Sequence, residues 1–462
     1  MNTIDEPTDL NRRDFLRGSS FATFAMLMGG VPIACRGEDK TKTDDAPTTY
    51  KAKAHPVNCA VIGCGAWGRE ILKTLATLPH GPVVAIAENY EPWLRRAGES
   101  APKAQAYDDY RKALEQKDVQ AVIVATPSHQ HKQVVLDALQ AGKHVYCEAP
   151  LAHTIVDAKA IAKAARDATK LNFQVGLQSR ADPQLYHLAT FVRTGVLGKN
   201  VKIRSQWHKK QSWRRTSPNA EREKDLNWRL SKATSPGLVG ELGIHQLDLA
   251  AWYLLGQPVA VTGFGSTVLW SDGRDVPESV QAIFEFPNGA FVNFEGSLAT
   301  SFDSSYDLFY GTDSTIMLRE RRAWMFKEVD APLLGWEVYA RKETFYKESG
   351  IVLGANATKL TAQGDKPVQD TLTDTETPLQ HAFKAFLSNA YLTQSGVEDF
   401  AATFDVSDTK ALREYLAGLG KSRVHAAGYE EGYEATVMAL KANEAILSGQ
   451  RVAIPKELFA LD

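Results

Sequence analysis

Hydrophobic and polar positions alternate in two different ways along this chain. Between 57 and 195, short apolar runs rich in β-branched residues alternate with amphipathic stretches of helical periodicity. The five runs are VNCAVIG, PVVAIAE, VQAVIVAT, KHVYCEA and NFQVGLQ. Strands that alternate with helices of about ten to fifteen residues predict βαβ units and a parallel sheet. We therefore expect a doubly wound α/β domain over 56–195.

Longer β-rich runs follow Gly198, namely VKIRSQWHKK, VAVTGFGSTVLW, SVQAIFEF, AFVNFEGSLAT, SSYDLFYG and STIMLRE. Turn signals such as PNGA join several of them, which favours an antiparallel sheet. Helices are expected at 237–256 and near 379–393, 407–420 and 429–448. The irregular stretch 331–376 is expected to be an insertion or long loop. These patterns predict a second, α+β domain over 196–462 with an open, mostly antiparallel sheet.

Residues 1–35 have the pattern of an export signal. Arg12 and Arg13 precede an apolar run at 21–34 that glycines and a proline interrupt. The run is shorter than the roughly 20 apolar residues of a membrane-spanning helix, so it predicts a signal peptide. The arginine pair indicates the twin-arginine class, whose translocase would be a partner. The alternative is a basic start before a core helix.

The end of this segment, VPIAC, resembles a lipoprotein cleavage site. Ala34 precedes Cys35, but Pro32 stands where such sites usually carry leucine. Lipid attachment at Cys35 and simple cleavage both remain open. A polar linker at 36–55 follows, so we expect an exported, periplasmic protein that is either free or anchored by acyl chains.

Composition excludes some classes of protein. The 462 residues are 44% hydrophobic and 23% charged, which suits a soluble protein with two sizeable cores. The net charge of −2 gives no basic footprint for nucleic acid. Four cysteines indicate no disulfide framework, and no metal site is expected.

The segment AVIGCGAWGREIL places Gly63, Gly65 and Gly68 as G-x-G-x-x-G between a predicted strand and a predicted helix, with Ala66 and Trp67 inside the motif. These glycines permit a tight turn, close approach of a pyrophosphate and close packing of helix on strand. The helix N-terminus then offers free N–H groups and a positive dipole end to the phosphates. The alternative is a glycine-rich turn in a domain without nucleotide.

Glu88 strengthens the nucleotide interpretation. It ends the next predicted strand, twenty positions after Gly68. A carboxylate there can accept a hydrogen bond from a ribose 2′-hydroxyl and repels a 2′-phosphate, which favours NAD over NADP. Because NAD is held in the cytoplasm, an exported protein would have to trap it while folding. We therefore expect very tight, non-exchanging NAD.

The segment ATPSHQH at 125–131 follows the predicted strand at 119–126. In such a fold it passes close to the nicotinamide, so Thr126, Pro127 and His131 are candidates for cofactor binding. His129 and His131 could be ligands, although surface histidines are common at the start of a helix.

Four segments together, VIGCGAWG, ATPSHQH, AGKHVYCEAPLA and GELGIHQLDLAAWYLLG, resemble the Gfo/Idh/MocA family, named for glucose-fructose oxidoreductase and inositol dehydrogenase. The resemblance covers about 57–330 and returns in GYEEGYEATVMALKANEAILSGQRV. It implies a Rossmann domain, a C-terminal domain whose open sheet often mediates homo-oligomers, and sugar or cyclitol substrates. The founding oxidoreductase is likewise exported by the twin-arginine route with its nucleotide bound.

One family motif is altered in this chain. The usual E-K-P reads Glu148, Ala149, Pro150. In the dehydrogenases the missing lysine helps to orient the substrate and to handle the hydroxyl proton. Some NAD-dependent glycosidases of the family also lack it.

A second motif, D-x-G-x-H-x-x-D, reads as Glu241, Gly243, His245 and Asp248. Offsets of four and seven put the two carboxylates and His245 on one helical face. Carboxylates beside a histidine favour its protonated form, and an imidazole tuned near the working pH suits a catalytic base. The resemblance gives His245 that role, with Glu241 and Glu148 orienting the site. The alternative is a polar helix face satisfied within the core.

Sugar recognition generally uses aromatic faces and long polar side chains. Candidates in 207–230 are Trp207, His208, Lys209, Trp213, Arg214, Trp228 and Arg229. Arg180 and Asp248 are further candidates for the substrate cleft. The basic residues between 202 and 215 could favour an acidic sugar, or could simply be a solvated face.

Three functions are consistent with these residues. The leading one is an exported NAD-dependent oxidoreductase that transfers hydride from a sugar or cyclitol hydroxyl. The others are a redox-neutral glycoside hydrolase that uses the same NAD, and a sugar-binding protein that has lost catalysis.

Overall fold

The computed structural model describes residues 55–338, 340–345, 348–353 and 375–462. The expected signal peptide at 1–35, and all but the last residue of the expected linker at 36–55, lie outside these residues. Within the described ranges, no helix has both the length and the apolar character needed to cross a membrane.

The first domain is a six-stranded parallel sheet with the order β3-β2-β1-β4-β5-β6. Its strands are β1 (Cys59–Ile62), β2 (Val83–Ala87), β3 (Gln105–Tyr107), β4 (Ala121–Val124), β5 (His144–Cys147) and β6 (Phe173–Val175). Its helices are α1 (Ala66–Ala76), α2 (Glu91–Ser100), α3 (Tyr110–Glu115), α4 (His131–Gln140) and α5 (Ile155–Asp167). This strand order is that of dinucleotide-binding folds, which confirms the predicted fold class.

The apolar runs explain which strands could be predicted. All four residues of β1, β4 and β5 are buried, as expected when helices cover both faces of a parallel sheet. The pattern missed β3 because its three residues are mostly exposed and not predominantly apolar.

The second domain contains a ten-stranded sheet with the order β14-β15-β13-β12-β11-β7-β10-β9-β8-β16. Its strands are β7 (Asn200–His208), β8 (Ala260–Ser266), β9 (Ser279–Glu285), β10 (Phe291–Ser297), β11 (Ser305–Gly311), β12 (Ser314–Arg319), β13 (Arg322–Lys327), β14 (Lys342–Phe345), β15 (Glu348–Leu353) and β16 (Val452–Ala453). Among the described strand pairs of this second sheet, only β7–β10 is parallel, which confirms the mostly antiparallel prediction.

The remaining α-helices are α6 (Pro183–Phe191), α7 (Ala220–Leu226), α8 (Ile244–Leu254), α9 (Pro378–Ala401), α10 (Thr409–Gly418) and α11 (Tyr429–Ser448). A π-helical turn at Val239–Gly243 precedes α8, so the single helix expected at 237–256 has two parts.

The stretch 331–376, expected as an insertion or long loop, is in part regular structure. It contains β14 and β15, and β15 pairs with β13 to extend the sheet. The hydrophobic pattern did not predict β14 and β15 because many of their residues are polar and exposed. Residues 354–374 of this stretch lie outside the described residues.

One helix from the end of the chain packs back on the first domain. The rings of Phe383 and Phe386 on α9 lie 4.8 and 5.7 Å from the ring of Tyr146 on β5. Helix α9 therefore packs on the sheet of the nucleotide domain, although it lies within the range 196–462 that was predicted as the second domain. Farther along, α11 connects the two domains, with Thr436 Oγ1 accepting from the backbone N–H of Leu151 at 3.1 Å.

Candidate active site

The turn after β1 has room only for glycine at two motif positions. Gly63 has φ +91°, and a Cβ there would lie 2.6 Å from the carbonyl carbon of Ala125. A Cβ on Gly68 would lie 1.9 Å from the Gly63 carbonyl oxygen. The first contact lets β1 and the loop after β4 come together, and the second lets α1 start directly over the turn.

The N-terminus of α1 is open toward the cleft. Gly65 is its N-cap, and no side chain in the described structure caps the helix. Its first N–H groups and the positive end of the helix dipole are therefore available to an anion. Trp67 in the first turn is 42% exposed and donates to the Glu148 carboxyl across the cleft.

Glu88 lies directly after β2 and fastens the glycine turn. Its Oε2 accepts from the backbone N–H of Cys64 and its Oε1 from that of Tyr90, both at 2.9 Å. Burial raises the pKa of this carboxyl, against the effect of the backbone donors. Each oxygen keeps a further lone pair, so Glu88 can still accept from a ribose hydroxyl.

His131 does not lie on the surface and does not offer a nitrogen to the cleft. Its ring is buried, with Nδ1 3.0 Å from the Pro150 carbonyl oxygen and Nε2 2.9 Å from that of Thr126. It therefore ties the loop after β4 to the loop after β5. Because both nitrogens face backbone oxygens, His131 positions these loops, and its contact with the cofactor stays a prediction.

Glu148 follows β5 and is enclosed. Burial raises its pKa to about 7, despite the hydrogen bond from Trp67. A Cβ on Gly176 would lie 2.5 Å from Glu148 Oε2, so the glycine leaves room for this carboxyl.

Four buried polar atoms in the loops after β4 and β5 lack a partner within the described residues. They are Thr126 Oγ1, His129 Nδ1, Glu148 Oε1 and His153 Nδ1. Buried polar groups almost always have hydrogen-bond partners, so an unpartnered group of them indicates a ligand. The carboxyl ends of parallel strands are where this fold binds a dinucleotide, and the atoms present fit the amide and ribose groups of NAD.

The second domain reaches this edge through Glu241, in the π-helical turn before α8. Ser128, in the loop after β4, donates from Oγ to Glu241 Oε1 at 2.7 Å. Arg229 donates from Nε to Glu241 Oε2 at 2.8 Å. The ring of Trp228 lies 5.8 Å from that of His129. These contacts bring Glu241, Trp228 and the nucleotide edge together.

His245 lies one helical turn after Glu241 and has a free imidazole. It is partly exposed and makes no hydrogen bond in the part of the chain that the structure describes. Burial lowers its pKa to about 4. The expectation that neighbouring carboxylates would favour its protonated form is wrong, because Glu241 is paired with Arg229 and Asp248 with Arg180.

Arg180 and Asp248 were expected in the substrate cleft and instead bond each other. Arg180 donates from Nε and Nη2 to both oxygens of Asp248 at 2.8 to 3.1 Å. The guanidinium also lies 5.3 Å from the ring of Trp252. Asp248 is 2% exposed and Arg180 8%, so this buried pair joins α8 to the segment after β6, and contact of either residue with a substrate stays a prediction.

The aromatic candidates of the second domain divide between the two faces of its sheet. Trp207 packs against the core on the inner face of β7. His208 lies on the outer face, where Nε2 is 3.3 Å from Glu295 Oε1 and Nδ1 is 3.2 Å from the Phe302 carbonyl oxygen. Trp207 and His208 therefore point to opposite faces of the sheet and cannot both face one cleft, and the place of His208 in the substrate site stays a prediction.

The sequence did not single out Ser128 or the pairing of Arg229 with Glu241. Ser128 is 113 residues from Glu241 along the chain, and Arg229 is 12 residues from it across a loop. The only local signal was a hydroxyl within the ATPSHQH segment.

Comparison with known proteins gives the class and then the family. Residues 57–177 match a family described as an oxidoreductase family with an NAD-binding Rossmann fold, so the chain is an NAD-dependent oxidoreductase. Residues 186–317 match the GFO/IDH/MocA C-terminal domain. The chain belongs to the Gfo/Idh/MocA family.

Two curated relatives are similar in sequence. Levoglucosan dehydrogenase of Pseudarthrobacter phenanthrenivorans is 27% identical over 300 residues, which is 58% of this chain and 74% of that enzyme. Inositol 2-dehydrogenase of Gluconacetobacter diazotrophicus is 32% identical over 202 residues, which is 43% of this chain and 55% of that enzyme.

Solved structures share the fold. Levoglucosan dehydrogenase in complex with NADH and levoglucosan has a TM-score of 0.62 at 20% identity, covering 87% of this chain and 100% of that one. Scyllo-inositol dehydrogenase from Lactobacillus casei, with bound NAD(H) and scyllo-inositol, has a TM-score of 0.56 at 19% identity, covering 86% and 99%.

Proposed function

We propose that this protein oxidises a hydroxyl of a sugar or cyclitol by transferring hydride to NAD. One observation carries the proposal. The Ser128–Glu241 hydrogen bond brings a helix with a free imidazole, His245, to the edge where the unpartnered atoms of Thr126 and Glu148 lie. The relatives act on a sugar and on a cyclitol, and we extend that substrate class to this chain.

Each residue has a chemical task in this proposal. Bound NAD⁺ supplies the hydride acceptor. His245 is neutral at pH 7 and has a free nitrogen, so it is in the form that can accept the hydroxyl proton. Glu241 holds Arg229, and Trp228 offers a ring face to the sugar. Glu148 contributes one unpartnered carboxyl oxygen.

The test begins with the protein as purified. Its nucleotide is released by denaturation and identified, and folded protein is offered levoglucosan and scyllo-inositol while nicotinamide absorbance is followed. We expect NAD and a net rise in NADH. His245→Ala should abolish the rise and keep the nucleotide content of the wild type. Full activity of that variant removes His245 from the mechanism.

A redox-neutral glycoside hydrolase is the second candidate, and Glu148 is the observation that favours it. A carboxyl with a pKa of about 7 is protonated in a large part of the molecules at neutral pH, as a general acid for a leaving group must be. Cleavage of aryl glycosides without lasting NADH, with solvent deuterium entering the sugar, would favour it. Sugar binding with neither reaction would favour a binding protein without catalysis.

Tight retention of NAD is also proposed, and a segment of the second domain supports it. We name residues 215–227 the strap. Asn227 closes the strap with Oδ1 and Nδ2, which bond the backbone N–H and carbonyl of Arg215 at 2.6 and 3.0 Å. Arg222 donates to the Asn89 carbonyl at 3.0 Å and lies 5.4 Å from the ring of Tyr90. The strap thus contacts the residues next to Glu88, at the adenosine end.

Its test is the rate at which bound NAD leaves. Arg222→Ala should release NAD about tenfold faster, since it removes a hydrogen bond worth about 1.4 kcal/mol. Lys224→Ala, an exposed change on the same helix, should leave the rate unchanged. Equal rates for both variants and the wild type would show that the strap does not retain NAD.

Export is proposed from the sequence of residues 1–35 alone. Replacing Arg12 and Arg13 by lysine should keep the NAD-loaded protein in the cytoplasm, whereas the wild type should be recovered outside it. Mass spectrometry of the mature N-terminus will decide between acylated Cys35 and simple cleavage.

A homo-oligomer through the second sheet is proposed as well. Phe264, Ile283 and Phe291 lie on its outer face with exposures of 66%, 39% and 38%. An apolar group of this kind is typical of an interface. Light scattering should give a mass above that of one chain, and Ile283→Lys should lower it.

A further inference from the structure

Arg229 is held at the active site in an unusual way for a partly exposed arginine. It lies in a 3₁₀ turn at Trp228–Leu230, and its guanidinium carbon is 4.4 Å from the centre of the Trp228 ring. Nε donates to Glu241 Oε2 at 2.8 Å. The Glu241 side chain is 4% exposed while that of Arg229 is 42% exposed. A buried carboxylate and an aromatic face thus fix a guanidinium whose outer part faces open space.

The outer nitrogens of Arg229 are unused. A guanidinium carries five N–H donors in a planar fork, and only Nε finds an acceptor among the residues that the structure describes. Glu241 is fully engaged, since its other oxygen accepts from Ser128. Nη1 and Nη2 are therefore free to donate to two neighbouring oxygens of a ligand.

Arg229 and His245 are both linked to Glu241, the first by a hydrogen bond and the second along the chain, and this gives the free donors a use. Glu241 lies in the π-helical turn at Val239–Gly243 and His245 lies in the first turn of α8, so the two residues are on consecutive turns. Ala149, after β5, carries no charge. The other ionisable groups near Glu241 and Arg229 include His129, Asp225 and the buried His131, and the pKa of each histidine is lowered by burial. Arg229 is the group here that is cationic at every working pH.

A cation beside the hydroxyl oxygen helps its oxidation, because it stabilises the negative charge that develops there. With NAD⁺ bound as the hydride acceptor, the carbinol carbon would give up its hydrogen as hydride, His245 would take the hydroxyl proton, and the carbon would become a carbonyl. Negative charge develops on the oxygen before the carbonyl is complete. Because the pKa of the His245 imidazole is lowered, proton transfer depends more strongly on a donor that stabilises this charge.

We propose that Arg229 is a catalytic residue that binds the reacting hydroxyl and the adjacent hydroxyl of a vicinal diol through Nη1 and Nη2. The inference rests on the proposed hydride transfer. Arg229 would supply the positive charge that the family's lysine provides and that Ala149 lacks. This charge would come from the second domain rather than from the nucleotide domain. The substrate class it selects is a polyol with two neighbouring hydroxyl groups, such as a pyranose or a cyclitol.

The first test is single-turnover reduction of the bound NAD in the purified protein. Levoglucosan and scyllo-inositol serve as probes. Arg229→Ala should react about 100-fold more slowly, the usual effect of losing one donor to a developing oxyanion. Arg229→Lys should lose less, and free guanidinium ion should restore part of the Arg229→Ala rate. NAD content should stay at the wild-type value.

The matched control is Arg451→Ala. Arg451 also donates from Nε to a glutamate, Glu285, but at an exposed edge of the second sheet. Its rate should stay within about twofold of the wild type, because surface pairs contribute little.

The second test needs no turnover. Phenylglyoxal modifies exposed arginines, and mass spectrometry measures its rate at Arg229 and Arg451. A probe that reduces the bound NAD should protect Arg229 and leave Arg451 unprotected. Three results would overturn the inference but leave the proposed function standing. They are a wild-type rate in Arg229→Ala, a slow rate in that variant that guanidinium does not restore, and failure of an active probe to protect Arg229. Absence of NAD reduction by any sugar in the wild type would overturn the proposed function, and the inference with it.

Discussion

Ser128 Oγ lies 2.7 Å from Glu241 Oε1, and this hydrogen bond joins the loop after β4 of the nucleotide domain to the turn before α8 of the second domain. Both residues are buried, with exposures of 3% and 8%. The bond fixes the carboxylate that in turn holds Arg229. The geometry of the candidate site therefore depends on the contact between domains.

Ser128→Ala should lower kcat/KM by between about 10- and 100-fold, because a hydrogen bond to a charged group contributes about 1.5 to 3 kcal/mol. NAD content should not change. Ser448→Ala is the control, since it removes a hydroxyl that donates to the Glu444 carbonyl at the exposed C-terminal end of α11. Equal kinetic constants for the two variants would show that the Ser128 bond does not organise the site.

Gly68→Ala should produce protein without NAD. Its Cβ would lie 1.9 Å from the Gly63 carbonyl oxygen, so α1 must move away from the turn that receives the pyrophosphate. Gly98→Ala, also in a helix but with nothing within 4 Å of the new Cβ, is the control. It should keep full NAD content and gain up to about 1 kcal/mol of unfolding free energy. NAD content near that of the wild type in Gly68→Ala would contradict the steric argument.

The glycine motif could be predicted from sequence, whereas the contacts of Glu241 could not. Gly63, Gly68 and Glu88 lie within one βαβ unit, so their spacing alone predicts their relation. The partners of Glu241 depend on how two domains pack, and no local spacing carries that information. Trp207 and His208 are adjacent on one strand, so their side chains point to opposite faces of the sheet and cannot both face one cleft.

The motif around His245 illustrates a second limit. Its offsets correctly placed Glu241, His245 and Asp248 on connected helical turns. They could not reveal that Arg229 and Arg180 neutralise the two carboxylates. The motif predicts a raised pKa for His245, and this is wrong because burial lowers that pKa and no free carboxylate opposes it.

Asp248→Asn should cost about 3 kcal/mol of unfolding free energy, because it leaves the buried Arg180 guanidinium with only the more distant Glu431 carboxylate, 3.9 Å from Nη1, as a counter-charge. Urea denaturation measures this loss. Lys73→Ala, which breaks an exposed pair with Glu70, should cost less than about 1 kcal/mol. If the two losses were equal, the Arg180–Asp248 pair would not be a buried structural link.

Glu148 should make the nucleotide-free protein less stable as pH rises. Its pKa is raised from 4.5 to about 7 in the folded state, so between these values the folded protein holds a proton that the unfolded chain has lost. Stability is therefore highest below pH 4.5 for this group, falls as pH rises toward 7, and has lost on the order of 3 kcal/mol above it. Asp307, on β11, has the same sign of shift, from 3.8 to about 7.

The two contributions can be separated by variants measured in urea at pH 5 and pH 8 on protein refolded without NAD. Glu148→Gln and Asp307→Asn should each remove part of the loss seen in the wild type, because neither amide ionises. They should differ in function, since Asp307 lies in the sheet core and Asp307→Asn should keep NAD and turnover. Glu148→Gln should retain its stability at pH 8 yet lower turnover. A pH dependence in Glu148→Gln as steep as in the wild type would mean that this carboxyl is already ionised in the folded protein at pH 5.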